Sequence, residues 1–534
     1  MMMGSHPPPP PPRDRPDMVL LDGEIFTAVA GTTSFAEALA ITGDRISAVG
    51  TTQRVFGLAG PRTRVIDLGG RLAIPGLNDA HAHFSPRWVG RTLPFKGMEP
   101  AWEEVLEAVG WAVRHEPAGT VVSGAIGADA FFDPRCTSAK LTEVAPVHPV
   151  MLRTWTSHAA ILNRAMSRRL GVDEEAPPVL GGFFGKDMRG TRWDGVVHEY
   201  AAIGLQQRLH DGVGEEAGLR RMLDDCARWG LTSVQLMSLP NDPQRLVEML
   251  AVIDPPVRVR VIPMPLTGEK ARPRPGHPLA VPPAISDRVR VDGLKWLLDG
   301  TPVERSAAQR KPYADDPGWS GVTTFSGPEI RAVLEEVRGP RTQLIVHAVG
   351  DRAIEELLEA MEDDGGGPEA WADRRVRIEH GDGMLPDLVP RARRLGVVVV
   401  VNPTHLRLDP LSRRRFGAAE AGARHPVRSL MDAGVPLAIG SDGAMNPFLD
   451  IMLVSLYSGR PEEALTREEA VRAYTAASAY AEFEDDRKGT IEVGKLADIA
   501  VLSQNILEVA PSELPMTESV LTIVGGRVVH SSLG

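Results

Sequence analysis

Eight strand-length runs rich in Val, Ile and Leu recur through residues 76–443, and they constrain the fold more than any other feature. They are GLNDAHAHF (76–84), LTSVQLMS (231–238), VRVRVIPM (257–264), VRVDGLKWLLDG (289–300), TQLIVHAVGD (342–351), RVRIEHGDG (375–383), GVVVVVNPTH (396–405) and VPLAIGSDG (435–443). Near-continuous apolar character suits parallel strands buried on both faces. Helix-patterned segments such as GPEIRAVLEEVR and DRAIEELLEAMED lie between them. This alternation predicts an α/β chain whose core is a (β/α)8 TIM barrel over residues 76–484. About 150 residues separate the first two runs, far more than one crossover helix needs, so an inserted subdomain is expected over about residues 85–215.

Both ends of the chain read differently. MVLLDGEIFTA, AEALAITGDRISAVG and RVIDLGGRLAIPG are short strands broken by Asp-Gly, Gly-Asp and Gly-Gly turns, and GTIEVGKLADIAVLS and LTIVGGRVVHSS repeat the style near the C-terminus. Residues 18–75 and 485–534 are therefore expected to form one composite β-sandwich domain, preceded by a disordered Pro-rich arm over 1–17.

Bulk properties exclude several classes of function. The net charge of −11 offers no broad attraction for nucleic-acid phosphates, and no window is apolar for long enough to span a bilayer. The N-terminus lacks the apolar region of a secretory signal, so a cytoplasmic location is expected. With two cysteines, Cys136 and Cys226, neither a disulfide framework nor a Cys-rich zinc site can form; Cys226 falls in a helical pattern and reads as core. The basic run Arg413–Arg415 reads as a solvated loop.

Chemistry enters at the ends of the runs. On a strand, residues i and i+2 share a face, so His81 and His83 can reach one point in space. Barrel active sites gather at the C-terminal ends of strands, and unusual polar residues fall at or near those ends: Lys295 in run four, His347 in run five, His380 in run six and Asp442 in run eight. Four imidazoles and a carboxylate suit zinc or a similar divalent ion. A neutral Lys295 could add CO₂ to give a carbamate that bridges two ions, whereas its ammonium form would be repelled. His115, His148, His277 and His425 sit beside Pro or Glu-Pro in loop-like stretches and read as surface residues. No G-x-S-x-G elbow, Walker A loop, H-E-x-x-H helix or Rossmann glycine fingerprint is present.

GLNDAHAHF, DGLKWLLDG, VHAVGDRAI, RIEHGDG, GSDGAMNPF and GKLADIAVL together resemble the amidohydrolase superfamily, and most closely its YtcJ-like branch, relatives of the N-substituted formamide deformylases. The resemblance covers about residues 18–530. It implies a metal-dependent hydrolase barrel with a terminal β-sandwich. By resemblance His81 and His83 bind the more buried of two metal ions, His347 and His380 bind the second, Lys295 bridges as a carboxylated lysine, and Asp442 ligates and moves protons. TSHAAILN resembles the branch's DGHSAWVN pattern and brings His158 near the site, although Thr156 stands where that pattern has Asp. DGVVHEY brings Glu199 forward as a metal or substrate residue that competes with Lys295 for the bridge, and NPTH brings His405 forward as either a substrate contact or strand-end packing.

The reaction these residues imply is cleavage of a C–N bond in an amide, N-formyl or related small molecule by metal-activated hydroxide. Two rivals stand beside it. A mononuclear deaminase of a heterocyclic amine would carry an acid three residues after the strand-five histidine, where this chain has Gly350. A non-catalytic barrel scaffold would be expected to lack ligands, and none of the six is missing. Arg153, Trp155 and Trp296 are candidate pocket-lining residues, Asp79 is a candidate supporting group, and the resemblance leaves a homodimer open.

Overall fold

A computed structural model describes residues 15–31, 35–85, 87–190, 193–210, 212–239, 241–267, 280–338, 342–443 and 445–533. The expected arm lies almost wholly outside them, as does His277. The chain divides into two compact units: one takes the sequence up to Asn78, Asp224–Ser233 and Arg467 onward, and the other takes Asp79–Leu223 and Val234–Thr466.

The first unit holds a four-stranded sheet in the order Arg45–Gly50, Ala38–Thr42, Met18–Leu21, Arg64–Asp67. Its second sheet has six strands and interleaves the two ends of the chain: Leu72–Pro75 pairs antiparallel with Ile499–Leu502, placing Ile74 opposite Ala500. Leu20, Ile41 and Ile66 from one sheet and Ala73, Val501 and Ile523 from the other share one buried cluster. Apolar alternation along each short strand puts these residues on one face.

The strands of the eight runs are numbered in chain order. β1 (Leu77–His83), β2 (Leu231–Met237), β3 (Arg258–Ile262) and β4 (Val289–Val291) form one sheet in the order β4-β3-β2-β1. β5 (Leu294–Leu297), β6 (Leu344–Ala348), β7 (Arg377–His380), β8 (Val398–Val401) and β9 (Leu437–Ile439) form another, parallel throughout. Run four was expected as one strand and is two. Gly293 separates them with φ +81°, and a Cβ there would approach Arg260 Nη2 to 3.0 Å; the bend needs a residue free to adopt left-handed backbone.

Helices pack between the strands for the reasons their sequences give. α1 (Gly327–Glu336) starts with a capping box between Ser326 and Glu329 and buries Ile330 and Leu334, four residues apart. α2 (Asp351–Glu362) buries Ala353, Ile354, Leu357, Leu358 and Met361, a 3.6-residue stripe. Burying each such Leu is worth about 1.5–3 kcal/mol.

The inserted region, whose fold the sequence did not reveal, is built on a six-stranded sheet in the order Gly182–Phe184, Val196–His198, Ala159–Leu162, Val150–Thr154, Val122–Ile126, Arg91–Thr92. The helix Trp102–His115 covers it with Trp102, Val105 and Val109.

Three expectations are corrected. Arg413–Arg415 is helical rather than loop, on Asp409–Phe416, and Arg415 is buried, donating to Asp315 and to the Pro302 carbonyl. His148 is buried, with Nε2 3.4 Å from the Glu116 carbonyl. His425 lines a cavity described below. Among the described residues no helix is long and apolar enough to cross a membrane.

Candidate metal centre

The two-residue period of β1 places Asp79, His81 and His83 on one face. His81 and His83 bring their Nε2 atoms to 3.2 Å from each other. The far side of each ring is held: His81 Nδ1 donates to Glu379 Oε2 at 2.5 Å, and His83 Nδ1 donates to the Leu239 carbonyl at 3.0 Å. An Nδ1–H that donates leaves the lone pair on Nε2, so both lone pairs face the same space. His380 repeats the pattern, donating from Nδ1 to Asn402 Oδ1 at 2.7 Å, while Asn402 Nδ2 donates to the Gly440 carbonyl at 2.8 Å. His347 is held through Nε2, 3.4 Å from the Gly300 carbonyl, which leaves Nδ1 open.

Glu379 is itself buried, gripped by Arg377 through Nε at 3.0 Å and Nη2 at 2.9 Å, and Arg377 Nη2 also donates to the Ala80 carbonyl at 2.7 Å. A buried carboxylate is stable only when paired in this way. Asp79 Oδ1 accepts from the backbone N–H groups of His81 and Ser441, both at 3.0 Å, tying β1 to the end of β9. Burial raises the Asp79 carboxyl to about 6, with those hydrogen bonds opposing the rise.

The remaining groups close around the two imidazoles. Lys295 Nζ, on β5, lies 2.9 Å from His81 Nε2. Asp442 Oδ1 lies 3.4 Å from both His81 Nε2 and His83 Nε2, and its Oδ2 lies 3.7 Å from His380 Nδ1. The His380 ring stands 5.1 Å from that of His81 and 4.5 Å from that of His347, centroid to centroid. Ligand atoms of His81, His380 and Asp442 fall within 4.8 Å of one another, a set that could hold a metal ion. His380 and Asp442 adopt left-handed backbone, at φ +72° and +47°. Such strain costs of order 1 kcal/mol or more each and clusters at functional sites. Asp442 N–H donates to the His81 carbonyl at 2.8 Å, which helps hold that geometry.

Electrostatics match the geometry. Burial drives His81 and His347 well below the ordinary imidazole value, lowers His83 and brings His380 to about 3, so the four rings are neutral. Burial lowers Lys295 to about 8 against the pull of Glu379 and Asp442. Burial alone would raise Asp442, but the basic groups around it, Lys295 among them, bring it below its ordinary value.

A second tier surrounds this cluster. His158 Nδ1 lies 2.6 Å from Glu199 Oε2, and its ring lies 4.8 Å from that of His347. Burial opposes protonation of His158, but the Glu199 carboxylate outweighs it and raises the group to about 9. Glu199 is 1 % exposed, has φ +50°, and keeps a buried Oε1 without a hydrogen-bond partner. A Cβ on Gly300 would lie 2.0 Å from that oxygen. Glu199 thus stands behind His158, while Lys295 stands beside His81. Thr156, in place of the pattern's Asp, donates to Glu304, which also accepts from Thr301. His405 stacks on His380 at 5.1 Å, holds Asp382 Oδ2 through Nδ1 at 3.1 Å, and brings Nε2 to 3.8 Å from Asp442 Oδ2. His425 Nδ1 meets Asp382 Oδ1 at 3.2 Å, so it belongs to this polar wall and not to the surface.

One cavity of about 450 Å³ receives His81, His83, Lys295, His347, His380 and Asp442, together with His158 and His405. Of the candidate lining residues, Arg153 and Trp155 line it, against the stronger structural reading of their sequence context. Trp296 does not; it sits on the opposite face of β5 from Lys295 and packs on Phe325 with centroids 5.5 Å apart.

Sequence reasoning missed Glu379, Asn402, Asp382 and Glu304. Glu379 carried a usable signal: RVRIEH puts Arg377 and Glu379 two residues apart in an apolar run, a same-face charge pair that only mutual burial explains. Asp382, Asn402 and Glu304 follow or precede strands and carry no such pattern.

A family model described as amidohydrolase family matches residues 64–530. The chain is 27 % identical to the N-substituted formamide deformylase of Arthrobacter pascens, over 97 % of this chain and 99 % of that protein. It is 25 % identical to the putative amidohydrolase YtcJ of Bacillus subtilis (strain 168), over 92 % of this chain and 96 % of that one. The crystal structure of an uncharacterized metal-dependent hydrolase from Pyrococcus horikoshii OT3 superposes with a TM-score of 0.70 at 21 % identity, covering 93 % of this chain and 99 % of that one, and shares the α/β fold. The chain therefore belongs to the amidohydrolase family, as a metal-dependent hydrolase acting on carbon–nitrogen bonds.

Proposed function

We propose that the cluster holds two divalent metal ions, zinc by donor chemistry, and that the protein hydrolyses an amide, N-formyl or related C–N bond of a small molecule. The observation that carries this reading is the aim of the imidazoles. His81, His83 and His380 each spend Nδ1–H on a fixed acceptor, and the Nε2 atoms of His81 and His83 face each other at 3.2 Å. Two lone pairs at that separation repel; Lys295 Nζ can donate to the His81 one, and a cation held by both rings would relieve the pair, since burial disfavours protonating them. In this reading His81 and His83 would hold one ion, His347 and His380 the other, and Asp442 would contribute a carboxylate oxygen. Lys295, 2.9 Å from His81 Nε2, would help hold the ions as an N-carboxylated lysine; Glu199 is turned to His158 and supports it instead.

The architecture proposed around the site is a (β/α)8 barrel over 76–484 with an inserted subdomain over about 85–215. Two observations support closure: β3 meets the start of β5 through Lys295 N–H to the Pro263 carbonyl at 2.9 Å, and β9 meets β1 through Asp442 N–H to the His81 carbonyl at 2.8 Å. The composite β-sandwich over 18–75 and 485–534 is supported by the pairing of Leu72–Pro75 with Ile499–Leu502.

Bound divalent metal supplies Lewis-acid polarisation of the substrate carbonyl and acidifies water toward neutrality. The chain supplies the proton path. Asp442, held ionised, accepts the proton of the attacking water at its carboxylate and passes it to the departing nitrogen, without which an amine leaves poorly. His405, fixed by Asp382, and His158, fixed by Glu199, present donors to the substrate from the cavity wall.

The deaminase rival is disfavoured at Gly350. Its N–H donates to Asp299 Oδ2 at 2.7 Å, and a Cβ there would lie 1.9 Å from the Ala308 carbonyl oxygen, so no acid fits. A relative named as a deformylase of N-substituted formamides makes formamides the first compounds to try. N-formyl, N-acyl and cyclic-amide compounds should be screened on metal-quantified protein. Release of amine from at least one class is expected; no turnover of any class by protein carrying two ions overturns the proposal.

A further inference from the structure

The strand Val150–Thr154 of the inserted region delivers Arg153 to the wall of the cavity that holds the His81–Asp442 cluster. Its guanidinium carbon lies over the Trp88 ring, 4.9 Å from the centroid, and Nη1 donates to Ser157 Oγ at 3.2 Å. Among the described residues no carboxylate pairs with it. That separates the half-buried Arg153 from the protein's buried guanidiniums: Arg260 has Asp292, Arg288 has Asp254, Arg377 has Glu379 and Arg415 has Asp315. A buried cation is normally paired, because removing it from water is otherwise costly. Two residues on, the Trp155 indole N–H is also buried without an acceptor. The end of one strand and the residue after it thus place a planar cation and a tryptophan on a cavity wall where Ile203, Leu239 and Met264 supply apolar surface between the polar groups. Burial is the sole cause acting on the Arg153 guanidinium and lowers its proton affinity, as expected where no counter-charge compensates.

We propose that Arg153 is a specificity-determining residue that binds a carboxylate carried by the substrate at the end remote from the scissile C–N bond. Arg matches carboxylate geometry with two parallel donors, and partial removal from water strengthens such a pair. The inference rests on the hydrolytic reading of the same cavity and narrows it from neutral amides to anionic ones.

The test compares N-formyl derivatives of ω-amino acids of two to six carbons with N-formylalkylamines of matching length, using metal-loaded protein. At the best chain length the acid should exceed the amine in kcat/KM by about thirtyfold, the scale of a charge-assisted hydrogen-bonded pair. In Arg153→Met that ratio should fall toward one, and Arg153→Lys should restore part of it. Calorimetric binding of the same acids to wild type and Arg153→Met reads the subsite independently of turnover. Arg153-dependent binding without hydrolysis of either series would overturn the hydrolytic reading and keep the subsite. A wild-type acid-to-amine ratio near one, or a ratio and binding unchanged in Arg153→Met, overturns the subsite.

Discussion

Glu379→Gln tests how the centre is built. The carboxylate is fully buried and serves two donors at once, His81 Nδ1 at 2.5 Å through one oxygen and Arg377 Nε at 3.0 Å through the other. Glutamine keeps the shape but has one acceptor oxygen, so its NH₂ must face either the His81 N–H or the guanidinium, donor against donor. One charge-assisted hydrogen bond is lost, worth about 1.5–3 kcal/mol, and Arg377 keeps a buried charge without its counter-ion. Unfolding free energy in urea should therefore drop by about 2–4 kcal/mol, overlapping the roughly 3–5 kcal/mol cost of breaking a buried pair outright. A His81 freed from Glu379 also loses its fixed tautomer, and such changes typically weaken metal binding by about 10–100-fold. Competition with a chromogenic chelator reads that loss directly. Metal affinity within twofold of wild type, with an unchanged urea midpoint, would refute the view that Glu379 sets the His81 lone pair.

Asp442→Asn should retain the fold and most of the metal but lose turnover by about 10²–10⁴-fold, the scale of general acid–base catalysis; near-normal turnover would remove the proton role from Asp442. Gly440→Ala should cost about 2–3 kcal/mol and reduce bound metal, since its Cβ would stand 2.4 Å from His81 Cβ and 2.5 Å from His81 N, where only backbone movement gives relief. Equal thermal midpoints and metal content for Gly440→Ala and wild type would contradict that packing.

Much of the second unit was legible because its strands obey simple rules. Apolar runs of strand length became β1–β9, and the two-residue period brought His81 and His83 to one point without knowledge of any other residue. Lys295, His347, His380 and Asp442 were found as polar interruptions at the ends of such runs, and the structure gathers them into one cavity. The split of run four at Gly293 was not legible, since a Gly within an apolar run marks either a bend or a close approach and only the neighbours decide. Supporting groups were harder. Asp382, Glu304 and His425 lie in connecting segments, where residue type is set by tertiary partners rather than periodicity, so His425 beside Pro426 looked like surface. The inserted sheet joins strands through long, irregular links and pairs some parallel and some antiparallel, a topology no local pattern encodes.

The central claim is that neutral imidazoles, Asp442 and Lys295 hold metal that the reaction needs. Metal quantification on purified protein, before and after chelation and in His81→Asn/His83→Asn, tests it most directly. The account predicts about two divalent ions per chain, loss of both ions and hydrolysis on chelation, recovery on adding zinc, and at most one ion in the double variant. Metal-free protein that still hydrolyses its substrate, or a double variant with full metal and full turnover, would contradict it.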